Sequence, residues 1–152
     1  MKTISDQIFD LAQQIAGQME GFQERRGPGK AAGNGVTDDF LAALDRQVAA
    51  HFPAECRLQE PAAPGVRYSF DYFIPSEETA VEIALSLRNI VTEFEKDIFK
   101  AILANEGGKR IRKLVLIGKS GSIKRQNGTG PNAVKAWVKN KCGIEVEVRE
   151  LV

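Results

Sequence analysis

Apolar residues recur at steps of three and four along the N-terminal part of the chain: Ile4, Ile8, Leu11, Ile15 and Met19. That spacing predicts an amphipathic helix over residues 3–20. Residues 21–35 (GFQERRGPGKAAGNG) hold five glycines, a proline and three bases, Arg25, Arg26 and Lys30, and read as a loop. Thr37, Asp38 and Asp39 then supply an N-cap and a negative first turn for a second helix. Phe40, Leu44 and Val48 lie on its buried stripe, and His51-Phe52-Pro53 ends it. Residues 54–66 are broken by prolines and predict a connection, with a short extended piece at most over residues 57–59.

The period changes beyond Val66. Residues 68–74 (YSFDYFI) are aromatic-rich and read as a strand. Pro75 to Glu78 form a turn, and residues 80–87 (AVEIALSL) a second strand. Its alternation puts Val81, Ile83, Leu85 and Leu87 on one face and Glu82, Ala84 and Ser86 on the other. The two strands make a hairpin. Residues 89–105 predict a long helix with Ile90, Phe94, Ile98 and Ile102 on its apolar side, stopped by Gly107-Gly108. A third strand follows over residues 110–117 (RIRKLVLI), its wholly apolar second half suited to the inside of a sheet. After a basic, glycine-rich loop over residues 118–130, Pro131 opens a short helix bearing Val134, Trp137 and Val138, with Trp137 read as core. Residues 144–148 are the last strand. A hairpin followed by two helix-to-strand crossovers predicts an α/β domain whose mixed central sheet has about four strands and helices on both faces.

At 152 residues, 43% hydrophobic and 27% charged, the chain fits a single globular domain. It divides into a helical part over residues 1–65 and a core over residues 66–152. Neither a signal peptide nor a membrane span is readable, and Cys56 and Cys142 read as free thiols, so the expected compartment is the cytoplasm. The net charge of +1 conceals a segregation. Residues 1–106 hold 17 acids and 10 bases, whereas residues 107–143 hold 10 bases and no acid. Such a block fits a surface for an anion, nucleic acid being the commonest large one. The bland alternative is a solvated face that pairs with the acidic half.

Two acids stand inside strands. Asp71 interrupts an aromatic run, and Glu82 lies between Val81 and Ile83. A carboxylate near a core costs several kcal/mol unless something positive offsets it, and a divalent cation held by oxygens is one such offset. Pointing to solvent, or pairing with Arg88 or Lys113, is the other. The segment FDYFIPSEETAVEIALSLRNIVTEFEKDIFKA resembles the core of PD-(D/E)XK nucleases, the restriction-endonuclease-like branch in particular, over residues 68–148. In that family an acid at the end of one strand is followed by a turn, an E-x-K element in the next strand, and a helix packed behind. Asp71 matches the first acid and Glu82 the second. The family's lysine falls on Ala84, which offers no proton chemistry. Lys96 on the following helix is the nearest substitute that the polar side of that helix suggests, shared with Thr92, Glu93 and Lys100; pairing with Glu93 is its other reading.

The resemblance implies a restriction-endonuclease-like fold and a metal-dependent nuclease acting on DNA. In it Asp71, Glu82 and Lys96 would be catalytic, and Mg²⁺ or Mn²⁺ would be held by Asp71 and Glu82 with Glu93 as a further ligand. Arg112, Lys119, Lys124 and Arg125 of the basic block would contact phosphates along the backbone. The alternative, which Ala84 favours, is a module that keeps the fold for nucleic-acid or protein binding and hydrolyses nothing. By fold-level analogy, a domain of this size works as a homodimer or beside a partner subunit. Gly118-Lys119-Ser120 is similar to the end of a phosphate-binding P-loop, but Lys113 stands where its first glycine should be, and nucleotide triphosphate binding is set aside.

Overall fold

The structure, a computed structural model, describes residues 1–23, 33–86 and 88–152. Most of the expected loop over residues 21–35, with Arg25, Arg26 and Lys30, lies outside the described residues, as does Leu87. Among the described residues there are five strands: β1 (Arg57–Pro61), β2 (Ser69–Ile74), β3 (Thr79–Ala84), β4 (Lys113–Lys119) and β5 (Glu145–Leu151). They form one sheet in the order β1-β2-β3-β4-β5. The first three are antiparallel neighbours, while β3, β4 and β5 run parallel. The coarse expectation of a mixed α/β sheet with helices on both faces therefore holds, with one strand more than the four counted from the sequence.

The extra strand is β1. Its Pro61 can sit there because β1 is an edge strand, where a missing main-chain donor leaves no ladder bond unmade. Strand β4 lies further along the chain than residues 110–117. Pairing with β3 and β5 on both sides extends it through Gly118 and Lys119, and Arg110 and Ile111 stay outside it.

Helices α1 (Ile4–Gln18) and α2 (Gly33–His51) cover one face of the sheet. Ile8, Ala12, Phe40, Leu44 and Val48 pack there against Tyr72, Ile74, Val81, Val115, Ile117 and Leu151. Thr3 and Asp6 close a capping box at the start of α1, and the Glu77 carboxylate, from the turn before β3, accepts the Ile4 and Ser5 N–H groups as well. Thr37 is not the cap of α2, because that helix already begins at Gly33.

The opposite face is covered by α3 (Ile90–Glu106) and α5 (Thr129–Cys142). Ile90, Phe94, Ile98, Ala101 and Val138 meet Phe73, Ala80, Leu114, Leu116 and Ile144 there. The expected loop over residues 118–130 contains a single helical turn, α4 (Ser122–Gln126), and the first residues of α5. Trp137 is a correction: it is 54% exposed, because Val138, the next residue and about 100° round the helix, is the one that α5 buries. No helix of the described residues is long and apolar enough to cross a membrane.

Candidate functional site

The register of the β2–β3 hairpin pairs Ile74 with Thr79, Phe73 with Ala80 and Tyr72 with Val81. The ladder ends there; Asp71 and Glu82 are the next residues along the two strands, close enough for the Asp71 charge to act on Glu82. At that step a side chain takes over from the main-chain ladder: Ile83 N–H donates to Asp71 Oδ2 at 2.8 Å. Gln59 Nε2 of β1 reaches Asp71 Oδ1 at 3.5 Å, the outer limit of a hydrogen bond. Asp71 is half-buried and Glu82 is buried.

Helix α3 supplies the rest. Its buried stripe runs Ile90, Phe94, Asp97, Ala101, Ala104, so an aspartate occupies a core position. Lys100, one turn after Asp97, turns toward the sheet and is also buried. Its Nζ lies 2.5 Å from Glu82 Oε1 and 3.0 Å from Asp97 Oδ1, and it donates to Ser69 O at 3.0 Å. Three neighbours match the three N–H groups of an ammonium. The approach to Glu82 Oε1 is close in distance but poorly angled, so that buried oxygen is ion-paired without a hydrogen bond.

The charges do not balance. One ammonium serves two buried carboxylates, with a third, Asp71, beside them. Burial pushes Glu82 well above the usual carboxylate range; Asp97 and Asp71 push it the same way, and Lys100 offsets them only in part. Burial likewise raises Asp97, to about 6, against the pull of Lys100. For Lys100 burial works downward, but Glu82 and Asp97 outweigh it and its pKa is raised. An excess of buried carboxylate over ammonium gives the cluster an affinity for protons, which the raised Glu82 and Asp97 express.

The residues expected from sequence fall into two groups. Asp71 and Glu82 are brought together. Lys96 and Glu93 are not: both are exposed, 3.9 Å apart on the outer side of α3. Lys100 takes the place expected for Lys96, because a four-residue step along a helix of 3.6 residues per turn rotates the side chain by roughly 40° toward the buried stripe. Asp97 and Lys100 were missed by sequence reasoning. The available signal was the continuation of the Ile90–Phe94 stripe, which falls on Asp97 at the next turn.

Where the family's lysine would stand, Ala84 pairs with Gly118 of β4. A Cβ on Gly118 would come within 2.2 Å of Ser122 Oγ, so the α4 serine occupies the space beside Ala84. Ser122 Oγ and Gln126 Nε2 are both buried without a hydrogen-bond partner.

The basic block is partly neutralised. Lys109 pairs with Glu60 at 2.7 Å, Arg110 and Arg112 with Glu78 at 3.1 and 3.5 Å, and Lys113 with Glu147 at 2.6 Å. The four expected phosphate contacts are not one patch. Arg112 precedes β4, whereas Lys119 ends it, about 20 Å away at the usual strand rise. Lys119 Nζ sits 5.0 Å from the Phe22 ring centroid, and Lys124 and Arg125 lie in the last turn of α4, at the same end of the sheet as Ala84 and Gly118.

A surface groove lined by Arg57, Glu60, Phe73, Glu78, Lys109 and Arg110 lies apart from the acidic cluster and contains none of Asp71, Glu82, Asp97 or Lys100. Its bases are already paired with its acids: Arg57 and Lys109 with Glu60, and Arg110 with Glu78. Among the described residues no three His, Cys, Asp or Glu side chains are gathered around one ion position. Compared with family models, with curated proteins and with solved structures, the chain matches none.

Proposed function

We propose that this chain is a restriction-endonuclease-like, metal-dependent nuclease acting on DNA phosphodiesters, in which Lys100 stands in for the lysine that Ala84 lacks. The observation that carries this reading is the nearness of Asp71 and Glu82 on adjacent strands with the Lys100 ammonium 2.5 Å from Glu82. The two acids then come from a strand and the next strand of a hairpin, as in the family's core, while the lysine comes from the helix packed behind rather than from the second strand.

The donor set suits Mg²⁺ or Mn²⁺. Magnesium is ordinarily held by one or two carboxylates together with substrate phosphate oxygens and water, so a three-ligand cage is not required. Asp71 and Glu82 would hold the ion, with Asp97 behind Lys100 adding negative charge. Such an ion, when bound, polarises a phosphoryl oxygen and lowers the pKa of a water molecule. Lys100 would offset negative charge developing on the phosphoryl group, and Asp71, fixed by Ile83 N–H, would keep its carboxylate aimed at the same point. Lys119, Lys124 and Arg125 would contact the backbone on the side of Ala84. Free thiols at Cys56 and Cys142 fit a reducing cytoplasm.

The alternative is a binding module that keeps the fold and hydrolyses nothing. Its support is that Lys100 is held on three sides by Glu82, Asp97 and Ser69 O. Two measurements separate them. With Mg²⁺ or Mn²⁺ the melting temperature should rise, and Asp71→Ala should abolish the rise; no effect of either metal on the wild type sinks the metal site. Supercoiled plasmid should be nicked with Mn²⁺ by the wild type and not by Glu82→Ala or Lys100→Ala. DNA binding without nicking would favour the module.

A further inference from the structure

Helix α5 departs from the usual pattern for a surface helix in two ways. It carries Lys135, Lys139 and Lys141 and no acid, so nothing on the helix itself neutralises them. It also turns the single tryptophan of the chain outward, 54% exposed. A large apolar ring left in water contributes little to folding, and Val138 is the residue of α5 that is buried. Of the neighbours one turn back, Ala133 is exposed and too small to cover the indole, while Val134 is half-buried and packs against the core instead. One turn on, at the four-residue step, Lys141 stands beside it, also exposed. Lys135 is anchored, its Nζ donating to Gln126 O at 2.9 Å, which ties α5 to α4 and its Lys124 and Arg125.

We propose that the Trp137 face of α5 is a docking surface for single-stranded DNA, with the Trp137 ring stacking on a base and Lys141, beside it on the helix, meeting a flanking phosphate. An exposed aromatic with a cation beside it, on a surface that is otherwise basic, is the arrangement by which proteins hold unpaired strands. Stacking on bases within a duplex would first cost the unstacking of a base step, about a few kcal/mol, which an unpaired strand does not require. A protein partner fits less well: beyond the indole the surface offers alanine, asparagine and lysine rather than a contiguous apolar patch. The choice of DNA rests on the function proposed above; the stacking itself requires no hydrolysis.

The test reads the one tryptophan directly. In EDTA, where no cleavage occurs, the wild type is titrated with a short oligothymidylate and with a duplex of equal length. The single strand should quench and shift Trp137 emission, and the duplex should leave it nearly unchanged. Affinity for a labelled oligothymidylate should fall about tenfold in Trp137→Ala, with Trp137→Phe retaining most of it. Lys141→Glu should weaken binding more at low salt than at high salt. Equal quenching by the duplex, unchanged affinity in Trp137→Ala, or emission that changes with protein concentration alone would each overturn the proposal, the last by making this a self-association face. Plasmid nicking that depends on Glu82 would stand whatever the outcome, so the two proposals fail separately.

Discussion

Lys100 and Glu82 lie in a helix and a strand, 18 positions apart in the chain, and they meet at 2.5 Å where each is less than a tenth exposed. A pair so dry is energetically lopsided. Removing the ammonium strands two carboxylates, whereas neutralising Glu82 leaves Lys100 with Asp97 and Ser69 O.

Lys100→Met should therefore destabilise the protein by about 3 kcal/mol or more. Glu82→Gln should cost less than half of that, because burial already favours the neutral form of Glu82. Urea unfolding of both variants near neutral pH measures the difference; equal losses would mean that Asp97 alone does not hold the lysine.

The pH dependence follows from Asp97. Its folded pKa, about 6, lies above its unfolded value of 3.8. The folded state therefore keeps the proton longer, and stability falls as pH rises through the window from about 4 to 6. Glu82, shifted in the same direction, acts with the same sign. Lys100, also raised, contributes stability that persists through this window and is lost only at alkaline pH. Asp97→Asn should accordingly be more stable than the wild type at pH 8, by about 1–3 kcal/mol, and gain nothing at pH 4. A variant that is less stable at pH 8 would show that the ion pair outweighs burial.

Beside Ala84, Gly118→Ala should lower stability by about 1–3 kcal/mol, since its methyl would meet Ser122 Oγ at 2.2 Å and Ser122 Cβ at 2.8 Å. Adding Ser122→Gly removes the obstruction and should recover part of the loss. Thermal melts of the single and double variants measure both; a harmless Gly118→Ala would mean that α4 moves away freely.

On the other face, Tyr72 is fully buried and its hydroxyl donates to Asp45 Oδ1 at 2.6 Å, tying α2 to the middle of the sheet. Tyr72→Phe should cost about 1–2 kcal/mol, the worth of one hydrogen bond to a charged acceptor. Burial and the adjacent Asp45 carboxylate both raise the Tyr72 pKa, so tyrosine absorbance should show one phenol that stays protonated into strong alkali until unfolding.

Most elements of the fold were legible because they rest on local pattern. The stripe from Ile4 to Met19, the alternation around Glu82 and the apolar run before Gly118 each declare a helix or strand from their own neighbours. Element ends were less legible, as at β4 and α2, because pairing partners and packing set them. Strand β1 was barely visible: its residues become a strand by pairing with β2.

The same division runs through the candidate site. The sequence by itself determined that two carboxylates stand within strands, that a lysine is missing at Ala84, and that residues 107–143 carry bases without acids. Those are properties of residue identity and short-range spacing. Only the tertiary structure decided that Lys100 rather than Lys96 turns inward, that Asp97 joins it, and that Trp137 faces water. Each depends on where a helix crosses the sheet, a contact between segments distant in the chain that no local period encodes.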